Sequence, residues 1–367
     1  MKKGGDCSMT IKDIAKIAGV STATVSYVIN DTRPVTPEKR RKILDAIAQT
    51  GYQPNQVAKS LRTKRTKNIG VLVEDIMGFS SSSIINGISE FVEQNDYNIL
   101  LNDLRMLDSL FNQYDQIAQQ KEKIRKAFSL LSFGARVDAL IYVGMFDRDI
   151  SGVIADMGKP TIIAYSTASD RHTCSVTYEN ESISAEAIRY LIESGHRRIA
   201  VITGLAHTSP AQLRMRGILS AFKETGFMLD SALVKNGDWE RESGYACMKD
   251  LLEQERDNLP TAVFAMNDLM AIGAMDAIRE AGLRVPEDIS IMGFDNREVS
   301  SFVFPKLTTV EIDLKGIGFA AAEMAVAQLT NDEKTTQGRD IVLPGKIIVR
   351  DTVARTAHAE GGRNNDA

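Results

Sequence analysis

From Thr10 onward, apolar residues return every three or four positions until a glycine stops them. Ile11, Ile14, Ala15 and Ala18 fall on one helical stripe behind Thr10, which can cap it, and Gly19 ends the run. Ser21 opens a second helix whose inward face is Val25, Val28 and Ile29, so that Thr22, Ala23 and Tyr27 point outward. A third helix is predicted from Thr36 to Thr50, with Pro37 in its first position, Glu38 in its first turn, and Ile43, Leu44 and Ile47 as its core residues. Two short helices joined at a glycine turn make a helix-turn-helix pattern, which presents the outward face of its second helix to a DNA major groove. A helical hairpin with no DNA role would show the same spacing.

After Lys67 the pattern becomes short apolar strands alternating with amphipathic helices, the mark of parallel βαβ units. One layer takes strands at Ile69–Val73, Asn98–Leu101, Ala139–Val143 and Thr161–Ala164, with helices through Ile84–Val92 and Ile117–Phe133. A second takes strands at Ile199–Thr203, Leu233–Lys235, Ala262–Ala265 and Ser290–Met292, with helices Ser184–Ile192, Leu213–Lys223, Gly244–Leu252 and Leu269–Glu280. The fold class expected is α/β: a helix-turn-helix head on a body of two doubly wound parallel sheets. Ligands of such sheets bind at the carboxyl ends of the strands, which here border a common crevice, with Tyr165 at one strand end.

Charge sharpens the division. Residues 9–67 hold twelve Lys/Arg against four Asp/Glu, whereas the whole chain of 367 residues has a net charge of -4, so a basic head precedes an acidic body. That distribution suits a head that meets phosphates. Cys7, Cys174 and Cys247 are too few for a disulfide framework and point to a reducing, cytoplasmic setting. No signal peptide or membrane span is read, and Met9 is a possible start. His172, His196, His207 and His358 share no ligand spacing, and no hydrolase elbow, zinc or Walker motif occurs, so no enzyme, metal or cofactor is expected. The GIGFAA run from Gly316 to Ala321 fits a dinucleotide fingerprint but runs into a helix near the chain end rather than opening a βαβ unit, and is read as accidental.

The runs IKDIAKIAGVSTATVSYVIN, GYQPNQVAKSLRTKRTKNIGVLV, SGHRRIAVITG, FAMNDLMAIGAM and GLRVPEDISIMGFDN, in that order, resemble the lactose-repressor (LacI/GalR) family of bacterial transcription regulators over nearly the whole chain. The resemblance implies a helix-turn-helix domain at 9–54, a hinge helix and basic linker at 55–67, and a periplasmic-binding-protein-like body at 68–355. It assigns 68–164 and 296–329 to one subdomain and 165–295 and 330–355 to the other, leaving 356–367 as a disordered tail. By resemblance, Thr22, Ala23 and Tyr27 read bases, and Thr24, Ser26 and Asn30 hold phosphates, with plain helix capping as the structural alternative for the last three. Asn55, Ala58, Leu61 and Arg62 belong to the hinge, with Leu61 as a minor-groove wedge. Arg214, Asp295, Asn267, Trp239 and Tyr165 border the effector crevice. Family members frequently carry arginine where this chain has Tyr27, so the guanine contact an arginine would make is missing. The connection between Leu101 and Val137 is longer than usual and is read as an extended surface helix, with a dimer-interface role as the alternative.

These readings lead to a cytoplasmic, homodimeric regulator, a repressor, that binds double-stranded operator DNA and answers to a sugar or sugar derivative. Two alternatives stay within the family: a purine-responsive member, and a carbon-catabolite type controlled by a phosphoprotein, against which the non-basic Phe304 argues. A sugar-binding transport protein is the reading from another class, and it would have no use for the basic head.

Overall fold

The computed structural model describes residues 9–52, 65–106, 114–131, 137–154, 158–168, 173–330 and 340–356. The hinge residues Asn55, Ala58, Leu61 and Arg62, much of the long connection, and the tail lie outside the described residues. The chain divides between Lys67 and Asn68 into two compact units.

The first unit holds α1 (Ile11–Ala18), α2 (Thr22–Asn30) and α3 (Pro37–Thr50). The Thr10 N–H and hydroxyl both donate to the Asp13 carboxylate, at 2.9 and 2.6 Å, and Gly19 closes α1 in the left-handed region. Ile14, Ala15, Ala18, Val25, Val28, Ile43 and Ala46 form the core. Leu44, expected there, is 49% exposed, because the stripe of α3 runs through Ile43, Ala46 and the half-buried Ile47 and leaves Leu44 a quarter-turn away.

The second unit has two six-stranded sheets. In the first, β1 (Asn68–Val73), β2 (Asn98–Asp103), β3 (Ala139–Val143), β4 (Thr161–Ala164), β5 (Cys174–Tyr178) and β11 (Ile341–Leu343) lie in the order β11-β5-β4-β3-β1-β2, all parallel. In the second, β6 (Ile199–Thr203), β7 (Val234–Asn236), β8 (Ala262–Ala265), β9 (Ser290–Asp295), β10 (Thr308–Glu311) and β12 (Lys346–Ile348) lie in the order β12-β10-β9-β8-β6-β7, with only β12 antiparallel. Leaving out β11 and β12, both follow the 2-1-3-4-5 doubly wound order. Helices α4 (Ser81–Gln94) and α10 (Leu314–Leu329) pack together on the first sheet; α6 (Glu181–Glu193), α7 (Ser209–Glu224), α8 (Arg241–Gln254) and α9 (Asp268–Glu280) belong with the second.

Two assignments are corrected. Residues 165–295 were read as one layer, yet β5 belongs to the first sheet; residues 296–329 were read as the return to the first layer, yet β10 belongs to the second, and β11 goes back to the first. The physical reason is that both missed strands bury polar side chains. Ser175 and Thr177 in β5, and Thr308 and Thr309 in β10, are buried, and three of the hydroxyls are hydrogen-bonded: Ser175 Oγ donates to Asp340 at 2.6 Å, Thr309 Oγ1 donates to Asp268 at 2.5 Å, and Thr308 Oγ1 accepts from the Arg350 N–H at 3.0 Å. No apolar run marks them. The chain therefore crosses between layers three times, from β5 to α6, from β10 to α10, and from β11 to β12, with two residues between elements each time.

The long connection also differs from a surface extension. A 3-10 helix (Tyr114–Gln120) and α5 (Lys121–Ser129) bury Ile117, Ile124, Ala127 and Phe128 against Leu72, Leu140, Tyr142 and Ile163, the sheet face opposite α4 and α10. The Phe128 and Tyr142 rings stack at 6.1 Å. It is the crossover that covers that face.

GIGFAA lies in α10. A Cβ on Gly318 would sit 1.9 Å from the Ile84 carbonyl oxygen, so this glycine lets α10 approach α4.

Candidate functional sites

In the head, Ser21 caps α2: its hydroxyl accepts from the Thr24 N–H at 3.1 Å and lies 2.9 Å from the Thr24 hydroxyl. Asn30 Nδ2 donates back to the Ser26 carbonyl at 2.8 Å. Thr24 is thus held by the cap of its own helix, and Ser26 and Asn30 are joined to each other. Thr22 and Ala23 are exposed and Tyr27 is half-buried. A residue missed in the sequence stands beside them: the Arg33 guanidinium carbon lies 5.2 Å from the Tyr27 ring centroid. It supplies a cation next to the position where family members often carry one, and the break after Asn30 hid it by placing it outside the helix.

In the body, a cavity of about 310 Å³ opens at the carboxyl ends of both sheets, and Tyr165, Arg214, Trp239, Asn267 and Asp295 all line it. Arg214 is its fixed point. Projecting from α7 and only 3% exposed, it donates from Nε to Asn180 at 2.9 Å, from Nη2 to the Tyr178 hydroxyl at 3.0 Å, and from Nη1 to the Met266 carbonyl. Its Nη2 lies 3.7 Å from Asp295 Oδ1, and its guanidinium carbon lies 3.5 Å from the Phe294 ring centroid and 5.6 Å from that of Trp239. Burial raises the titration of Asp295 against the pull of Arg214 and Arg297.

Asn267 reaches the cavity, but its amide holds other groups: Nδ2 donates to the Trp239 carbonyl at 2.7 Å and Oδ1 accepts from the Met270 N–H at 2.9 Å, capping α9. It positions Trp239, whose ring occupies the space a Cβ on Gly204 would need. Tyr165 stacks on Tyr178 at 5.4 Å and meets the edge of Phe79 at 6.4 Å.

Three of these five residues have backbones that side chains rarely adopt: Tyr165 at φ 67, Trp239 at φ 79 and Asp295 at φ 109. Each turns the chain sharply where a strand gives way to the crevice.

Sequence reasoning missed Asp147, Arg148, Tyr178, Asn180 and Arg297. Asp147 and Arg148 were legible as the first charges after the apolar run ALIYV, from which Gly144, Met145 and Phe146 separate them, hence just beyond the carboxyl edge of a buried strand. Arg148 lines the cavity with Nη2 held 2.7 Å from both oxygens of the buried Glu74. Arg297 Nε lies 3.4 Å from Asp295 Oδ2, and its guanidinium carbon is 4.1 Å from the Phe79 ring centroid. Tyr178 and Asn180 were hidden with β5.

A family model described as bacterial regulatory proteins, lacI family, matches residues 10–55, and one for a periplasmic binding protein-like domain matches residues 188–353. The HTH-type transcriptional repressor PurR of Pasteurella multocida is 35% identical over 94% of this chain and 98% of that protein. The chain belongs to the lacI family. The PurR of Histophilus somni (strain 129Pt) is 34% identical over the same shares. Among solved structures, the lac repressor dimer bound to operator and the anti-inducer ONPF has a TM-score of 0.75 at 26% identity, covering 94% of this chain and 99% of the other. The transcriptional regulator CelR in complex with cellobiose has a TM-score of 0.63 at 26% identity and the same coverage. This lacI-family chain is accordingly a DNA-binding transcription regulator with a periplasmic-binding-like body. Among the described residues, no helix is long and apolar enough to cross a membrane.

Proposed function

We propose that this regulator is a cytoplasmic repressor that binds a near-palindromic operator as a homodimer and responds to a sugar or sugar derivative in the crevice. The observation that carries the effector reading is the buried Arg214–Asp295 pair beside the Trp239 indole: charged donors and acceptors suit vicinal hydroxyls, and an indole face suits a sugar ring. CelR, a structural relative, was solved with cellobiose. The curated relatives named PurR favour a second reading, a purine effector held by the stacked Tyr165 and Tyr178. In the head, Thr22, Ala23 and Tyr27 read bases, Arg33 steadies Tyr27 and adds the missing cation, and Thr24, Ser26 and Asn30 exchange their helix contacts for phosphates. Asn55, Ala58, Leu61 and Arg62 form the hinge, with Leu61 as the wedge.

Fluorescence anisotropy on a duplex enriched by the protein from a random pool, across a salt series, tests this. Affinity should fall steeply with salt. Tyr27→Ala and Arg33→Ala should each weaken the enriched duplex about tenfold or more while changing random DNA far less, since a good base contact is worth about 1–3 kcal/mol. Equal losses on both duplexes would reduce the pair to backbone positioning.

A further inference from the structure

One acid in the crevice wall, joined to Arg214 only through Asn180, has no role assigned to it by family resemblance. Asp147 follows β3 by four residues, is 8% exposed and lines the cavity. Its Oδ2 accepts from Asn180 Nδ2 at 2.5 Å, the one hydrogen bond to its carboxylate among the described residues. Among the described residues no hydrogen bond reaches its Oδ1, and the residue lines the cavity. A carboxylate this deep with an unused oxygen calls for a donor from outside the chain.

The charges around it point the same way. Arg148 is matched by Glu74, which holds it with both oxygens. Arg214 and Arg297 converge on Asp295, at 3.7 and 3.4 Å. Glu240 and Asp147 are then the remaining acids of the wall, which itself holds three acids and three arginines; Glu74 behind it already answers Arg148, so Asp147 has no arginine of its own. Burial holds the titration of Asp147 up to about 6, against the pull of Arg214 and the Asn180 hydrogen bond.

We infer that Asp147 is a specificity-determining residue of the crevice: its open oxygen takes a hydroxyl or an ammonium of the effector, and its charge turns away effectors bearing a phosphate or a carboxylate. This rests on the sugar reading proposed above.

The test uses the full chain and a panel of glucose, galactose, mannose and cellobiose, the hexosamines, the hexose 6-phosphates, the uronates, and hypoxanthine and guanine. Binding is read from melting temperature and from the fluorescence of Trp239, the only tryptophan. The tightest binder should be a neutral or amino sugar, with its acidic counterpart at least tenfold weaker. Asp147→Asn, which keeps an acceptor for Asn180, should weaken that binder about tenfold and narrow the gap to its acidic counterpart to threefold or less. Asp147→Ser should repeat the result if the Asn variant melts early. An ammonium partner makes the amino sugar the tighter of the pair in the parent alone; a hydroxyl partner makes the neutral sugar tighter. A sugar acid as tightest binder, or parental affinities in both variants, overturns the inference. If only a purine binds, the sugar reading fails, and the inference about Asp147 fails with it unless Asp147→Asn weakens that purine tenfold. If nothing in the panel binds, both fail.

Discussion

Asp268 shows how a single residue can run against the usual pH behaviour of a carboxylate. It is fully buried at the start of α9, accepting from the Thr309 hydroxyl at 2.5 Å and the Arg297 N–H at 2.7 Å. Burial, and then the charge of Asp295, lift its titration from an ordinary 3.8 to about 8. Between those values the native state keeps a proton that the unfolded chain has released. The stability it contributes is therefore fully present below pH 3.8 and is lost as pH rises through 8. The melting temperature should fall between pH 6 and 9, and Asp268→Asn should flatten that fall; an identical slope in both proteins would show that Asp268 is not the group responsible. Nothing in the sequence announced this residue, because an Asp opening a helix reads as an ordinary favourable first-turn charge. The crevice residues Arg214, Asp295 and Trp239 were legible only through family resemblance; on chemistry alone, an Arg and an Asp so far apart in sequence read as two solvated charges.

At the scale of elements, periodicity did not mark α10 but identified α1 to α9 and the buried strands β1, β3, β6 and β8, since each of these is an unbroken apolar run or stripe. It passed over β5 and β10, whose buried Ser and Thr look like turn residues until their hydroxyls find partners in the fold. It also took α5 for a surface helix, because its apolar residues are few and its neighbours are lysines and arginines that stay in solvent. The packing of α10 on α4 sets two effects against each other at Gly318. Helix propensity alone favours Gly318→Ala by about 1 kcal/mol. The added methyl, however, would lie 1.9 Å from a backbone oxygen of α4, an overlap that no side-chain rotation relieves, and such overpacking costs about 1–3 kcal/mol. Urea denaturation should therefore find Gly318→Ala less stable than the parent; a more stable variant would mean that the two helices separate at little cost.

For the whole molecule, assembly is the property to test. Phe302 and Phe304 are 74% and 85% exposed beside the partly exposed Val299, an apolar patch on the second layer. Burying such a ring stabilises an interface by about 1.5–3 kcal/mol, so two rings from each of two copies suffice to move a dimer equilibrium by orders of magnitude. Light scattering at micromolar protein should give a dimer mass, and the Phe302→Ser/Phe304→Ser double variant should shift it toward the monomer. A stable tetramer would contradict the assembly proposed.

The three crossings between layers limit how the body can move. Each is two residues long, and they lie together: the Glu179 N–H donates to the Leu343 carbonyl at 3.0 Å, and a Cβ on Gly345 would come within 3.3 Å of the Glu311 carbonyl oxygen. A single tether would let the layers slide, twist and part; three short ones side by side act like the knuckles of a door hinge and leave one easy rotation. If one rotation dominates, partial closures have little room to differ from one another, so closure on an effector is expected to follow a single two-state transition in the Trp239 fluorescence, and a graded or multiphasic change would contradict it. Arg214 is wired into that hinge, because two of its hydrogen bonds end on Tyr178 and Asn180, the residues at the first knuckle.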